Sequence, residues 1–147
     1  MEHGIKKETI VDIARSFLGT KYRHQGRLKN VGVDCAGVMI GCGNESGWSE
    51  AVLGTKFQYS AYGRVPVGSD MQAVMDANLT MVEGDCQVGD ILLMAFELEP
   101  QHIAMLVALD PPYIVHALAQ EEFVAEHRLD DYWKSKIRQV YRFTGVV

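Results

Sequence analysis

An α+β fold with an antiparallel sheet is what the sequence predicts, and three observations carry the prediction. Apolar residues recur at helical spacing in the first half, at Ile10, Ile13, Ala14, Phe17 and Leu18 and again at Met71, Val74 and Met75. After Gly84 the period changes: Ile91 to Phe96 is a continuous apolar run, and His102 to Leu109 alternates as a strand does. Helices that come first and strands that follow, joined by the turn signals Val88-Gly89-Asp90 and Asp110-Pro111-Pro112, fit helices packed on an antiparallel sheet.

Taken in order, residues 9–18 form an amphipathic first helix stopped by Gly19. Thr20 to Gly32 is polar and Gly-containing and reads as a long loop. Asp34 then stands at the N-cap of an apolar second helix, with Cys35 in its first turn and an end near Gly43 or Asn44. Trp48 to Leu53 suits a short helical turn, and Gln58 to Pro66 an irregular connection. Ser69 and Gln72 make a capping box for a helix to about Ala77, in which Met71 and Met75 are core residues. Strands are expected at 91–96, 102–109, 113–118, 123–129 and 138–143, with a helical turn at 130–136.

At 147 residues the chain is expected to form one domain, 1–147, with one sizeable core. A net charge of −5 without any basic run argues against nucleic-acid binding. The first residues lack the apolar stretch of a signal peptide, and the run 91–96 is too short to span a bilayer. Three cysteines with no Cys-x-x-Cys argue against a disulfide framework and a structural zinc site, so no metal is expected.

The chemistry concentrates on Cys35. Unpaired N–H groups and the positive end of a helix dipole favour an anion, so a thiol there is expected to lose its proton more readily. A cysteine hydrolase also needs an imidazole in hydrogen-bond reach and a third group to orient it. His102 opens one strand and His116 lies on the next. A pairing centred near residue 109 sets them directly opposite, on one face. Cys42, seven positions after Cys35, reads as core, and Cys86 has no visible role. His3 and His127 are expected to be solvated. His24 is a candidate for a substrate groove, and Asp34 reads first as a cap.

Gly19-Thr-Lys-Tyr22, Gly26-Arg27 and Gly32-Val-Asp34-Cys35-Ala36-Gly37 resemble the signature segment of the NlpC/P60 cysteine peptidases. Val88-Gly89-Asp90-Ile91 resembles the family's strand opener, Gln101-His102-Ile-Ala-Met its base-bearing strand, and Ile114-Val115-His116-Ala117 its third-residue segment. The likeness runs from about Ile10 to Phe143, and the Gly-Arg spacing is most like members found in phage tails. The resemblance implies a papain-like α+β fold with Cys35 as nucleophile, His102 as general base and His116 orienting it. Tyr22 matches the family tyrosine beside the nucleophile, with a role at the oxyanion or the substrate, and Asp34 is implied at the substrate's amino end. The implied substrate is a peptidoglycan stem peptide cut between D-γ-glutamate and a diamino acid. The implied partners are phage tail proteins. No cofactor and no membrane span are implied, and a chain made without a signal peptide would reach the wall by lysis or packaging in a particle. Alanine at 36 replaces the commonest serine, and His24 stands where an aromatic is common. An amidase or acyltransferase using the same triad, and a tail component that binds without cutting, remain open alternatives.

Overall fold

The computed structural model of the protein describes residues 4–59, 70–97 and 100–147. Helix α1 (Lys7–Ser16) buries Ile10, Val11 and Ala14. The chain leaves it through Gly19, whose φ of +83° is a left-handed conformation that costs glycine little. The stretch expected as an open loop instead carries a small antiparallel ribbon, β1 (Arg27–Leu28) against β2 (Gly32–Val33). Its entry is tied by bridges from Lys21 to Phe123 and from Tyr22 to Val33. Polar composition concealed this because the order comes from backbone pairing, within the ribbon and to distant Phe123, not from a local apolar period.

Helix α2 (Cys35–Glu45) is capped by the Asp34 carboxylate, which accepts a hydrogen bond from the Gly37 N–H at 2.9 Å. Residues 36–40, 42 and 43 are all buried, so α2 is a central helix rather than an amphipathic one. Its glycines allow close approach: a Cβ at Gly37 would stand 2.5 Å from the Gly26 carbonyl oxygen. A π-helical turn (Ser49–Leu53) follows where a helical turn was expected. Helix α3 (Asp70–Asn78) buries Met71 and Met75. The expected cap Ser69, all but the start of the connection expected at 58–66, and His3 lie outside the described residues.

Among the described residues the main sheet has six antiparallel strands: β3 (Thr80–Met81), β4 (Ile91–Met94), β5 (His102–Leu109), β6 (Pro112–Ala117), β7 (Val124–Arg128) and β8 (Ile137–Arg142), in the order β3-β8-β4-β5-β6-β7. The short strand β3 has no counterpart in the sequence reading. One sheet face, with Ile91, Leu93, Ile103, Met105 and Val115, packs into the core that holds α1 and α2. The other carries Leu92, Met94, Ala104, Leu106, Ile114 and Leu129, with Ile137 and Val140 of β8 beside them and Trp133 packed on the cluster. Burial on both faces is why β4 reads as an unbroken apolar run.

Gly89, with φ +89°, turns the chain into β4, and the next residue, Asp90, is fully buried. Its two oxygens accept from Arg142 Nε at 2.7 Å and Nη2 at 2.9 Å, a bidentate pair that locks β8 to the start of β4. Helix α4 (Asp131–Lys134), capped by Asp130, brings Trp133 over the second face.

Candidate active site

Cys35 occupies the first position of α2; the residue as a whole is half-buried, but its thiol is enclosed and lies against the backbone N–H groups of Ala36 and Ile103. Ile103 follows His102 on β5, so the helix tip meets that strand at its opening residues. The expectation of an easily lost proton is corrected here. Burial first, and the Asp34 charge second, push the Cys35 thiol up from 9.0 to about 12, while the two N–H groups and Arg27 act more weakly the other way. A helix dipole contributes about 0.3–1 kcal/mol at such a position. That is under the ~1.4 kcal/mol that one pH unit represents, too little to offset the loss of solvent.

His102 and His116 meet directly, with His102 Nε2 2.7 Å from His116 Nδ1. The sequence reading sets them directly opposite, and the observed register does not. The chain turns over Asp110-Pro111 with Pro112 already paired to Leu109, and the register shifts between Leu106 and Ala108. Met105 therefore pairs with Val115, and continuing that register sets Ala104 level with His116. The offset is two residues. Because side chains alternate with a period of two, an even offset keeps both rings on one face, as diagonal neighbours within aromatic reach.

A third imidazole extends the row. His127, expected on the solvated surface, is half-buried on β7 with its Nε2 2.7 Å from His116 Nε2. Its Nδ1 lies 2.9 Å from the Arg128 carbonyl oxygen. His116 pairs with Ala125, so His127 is again the diagonal neighbour. A signal was present: Val124 on the inner face puts 125, 127 and 129 on the face of His116. Trp133 stands over the row, its ring centroid 5.0 Å from that of His116 and 5.2 Å from that of His127. Phe96 covers His102 at 5.5 Å. Burial pushes the two inner imidazoles down, His102 to about 3 and His116 to about 2, with neighbouring imidazole charge adding to it. Successive nitrogens face one another instead of converging on a point, which suits a hydrogen-bond chain and not a tetrahedral metal site. Among the described residues no group of three or more His, Cys, Asp or Glu is placed to hold a metal ion.

Asp34 is buried and engaged. Beyond Gly37, it accepts from Arg27 Nη1 at 2.9 Å and from the Gln25 N–H at 2.8 Å. The Arg27–Asp34 pair ties the ribbon to the start of α2, and Arg27 also donates to the Tyr59 carbonyl. Tyr22 is half-buried and packs against the main core beside Val33. With Lys21, Glu122 and Phe123 it lines a depression of about 320 Å³. A second depression of about 490 Å³ is lined by Phe96, Gln101, Leu118, Tyr132 and Trp133. His24 is half-buried in the segment leading to β1. Cys42 is buried with its thiol 3.8 Å from the Ile10 carbonyl oxygen, and Cys86 is exposed.

No protein-family model matches the sequence, and no curated protein matches it. Solved structures do. An NlpC/P60 family protein from Bacillus cereus aligns over 93% of this chain and 40% of its own, at 20% identity and a TM-score of 0.66. NlpC2 from Trichomonas vaginalis aligns over 97% and 49%, at 16% identity and a TM-score of 0.67. The NlpC/p60 domain of the peptidoglycan hydrolase SagA aligns over 93% and 98%, at 18% identity and a TM-score of 0.62. The chain thus spans under half of the first two neighbours and nearly all of the third. Helices on a six-stranded antiparallel sheet, with a helix-tip cysteine reaching the strand that opens with His102, place this chain in the NlpC/P60 fold.

Proposed function

We propose that this protein is a cysteine peptidase that hydrolyses peptidoglycan stem peptides, with Cys35 as nucleophile, His102 as general base and His116 as the group that orients it. The observation that carries the reading is the meeting of the Cys35 thiol with the Ile103 N–H, one residue from an imidazole whose Nε2 is already bonded to His116. In this reading the nitrogen of His102 that serves the sulfur is Nδ1, since Nε2 is engaged by His116.

The buried thiol and imidazole rest as neutral partners, because burial raises the one and lowers the other. Proton transfer therefore accompanies attack. As the sulfur adds to the scissile carbonyl carbon, His102 Nδ1 takes its proton. The oxyanion is met by the Cys35 backbone N–H at the start of α2, with the Tyr22 hydroxyl as a second donor. The tetrahedral adduct collapses, the amine leaves with the proton from His102, and a thioester remains. Water then attacks as His102 accepts its proton, and the adduct collapses to release the acid while His102 returns that proton to the departing sulfur, restoring the thiol. Asp34 acts through structure, holding the ribbon and the helix start in register.

SagA, one of the structural neighbours, is a peptidoglycan hydrolase, and the D-γ-glutamyl-diamino acid bond is the one that the sequence resemblance implies. Association with a phage tail is the companion proposal, resting on the Gly26-Arg27 spacing alone. Digestion of defined muropeptides by the wild type and by Cys35→Ala, with products weighed by mass spectrometry, tests the chemistry. The expected result is two fragments split at the glutamyl bond, absent in the variant. Cleavage of another bond would favour an amidase, and intact substrate with both proteins would remove the peptidase reading.

A further inference from the structure

The hydrogen-bond row has a defined direction. The Arg128 carbonyl oxygen accepts only, so the Nδ1 of His127, 2.9 Å away, carries the hydrogen. In its neutral form, with one N–H, His127 leaves Nε2 as an acceptor. His116 Nε2, 2.7 Å away, must then donate, and its Nδ1 must accept. The donor to that Nδ1 is His102 Nε2, again at 2.7 Å. The lone pair of His102 is thereby left on Nδ1. Burial supports the neutral forms of the two inner imidazoles, which are held well below their ordinary range.

We infer that His127, anchored on the Arg128 carbonyl, is a positioning residue that fixes through His116 the His102 tautomer whose basic nitrogen is Nδ1. With neutral imidazoles, the direction of the row follows from the anchoring carbonyl and the two 2.7 Å contacts, while its consequence for turnover rests on the peptidase reading above. His127 touches neither substrate nor reacting atoms in that scheme. It settles which end of the row accepts a proton, as the aspartate of a serine-protease triad holds its histidine in one tautomer. Without an acceptor at position 127, His116 is free to turn its N–H toward His102, and the base then presents a hydrogen where it needs a lone pair.

Two substitutions at this half-exposed position separate the roles. His127→Gln places an amide oxygen for His116 to donate to and an amide N–H for the Arg128 carbonyl, so it preserves the direction. His127→Leu keeps the bulk and removes the acceptor. On muropeptide substrate, His127→Gln is expected to keep kcat within about threefold, and His127→Leu to lower it by about ten- to a hundredfold with KM little changed. Nitrogen-15 NMR of histidine-labelled protein, without substrate, reads the tautomer itself. His102 should show a protonated Nε2 and an unprotonated Nδ1 in the wild type and in His127→Gln, and a mixture in His127→Leu. A wild-type His102 protonated at Nδ1 overturns the inference, as does a folded His127→Leu with unchanged tautomer and kcat. If the wild type cleaves no muropeptide, the peptidase reading fails by itself, and the wild-type spectrum still decides whether the row runs as stated.

Discussion

His102 Nε2 lies 2.7 Å from His116 Nδ1, between rings that are diagonal rather than direct neighbours on adjacent strands. A ring pair so placed depends on the acceptor at 116 more than on its bulk. His116→Ala is expected to lower kcat by about 10²–10⁴-fold with a smaller effect on KM. His116→Asn, which returns an amide oxygen to the same region, should recover part of the loss. Equal kcat in the two variants would mean that packing, not the hydrogen bond, sets the rate.

Stability should fall with acid in a defined window. His102 and His116 titrate at about 3 and about 2 in the folded protein, against 6.5 for an unperturbed histidine. Between those values the unfolded chain binds protons that the native protein refuses, so stability is full above about pH 6.5 and declines as pH falls toward 3. The slope is at most about 1.4 kcal/mol per pH unit for each histidine. Urea unfolding at several pH values from about 7 down to 4.5 measures it, and a His102→Gln, His116→Gln variant should flatten the curve.

The three thiols should label in an order set by exposure and by base assistance. Cys86 is exposed and reacts with iodoacetamide first, while buried Cys42 reacts only on unfolding. Cys35, raised by burial to about 12, needs a base to react. His102→Ala is therefore expected to slow labelling of Cys35 by about tenfold or more and leave Cys86 unchanged. Mass mapping of the labelled peptides distinguishes the sites. An unaltered Cys35 rate would show that His102 does not serve that sulfur.

Gly37 is where the ribbon and α2 touch. A Cβ there would come to 2.5 Å from the Gly26 carbonyl oxygen, a backbone atom that cannot swing aside. Gly37→Ala must displace the turn that brings Arg27 to Asp34, and should cost about 1–3 kcal/mol by overpacking. Denaturant midpoints check this, with Gly84→Ala, whose Cβ would meet nothing within 4 Å, as the control.

Much of this molecule is local, and the local part is legible. Helical spacing at Ile10, Ile13, Ala14 and Phe17 marks α1, Asp34 marks the start of α2, and alternation along 102–109 marks β5, because each pattern repeats within a few residues of itself. Those patterns, with the motif around Cys35, were enough to nominate the cysteine and two histidines. What the sequence could not rank were quantities that depend on distant neighbours. The thiol's pKa is set by how deeply the core encloses it, which outweighs the helix end that the sequence displays. The place of His127 depends on a third strand folding back beside the second, and its direction as a hydrogen-bond acceptor on one carbonyl, that of Arg128. Periodicity alone determined which face each histidine occupies, since a slip of two preserves it. Only the tertiary structure decided which rings touch, because hydrogen bonds need a few tenths of an ångström, and that depends on register, turn and twist together.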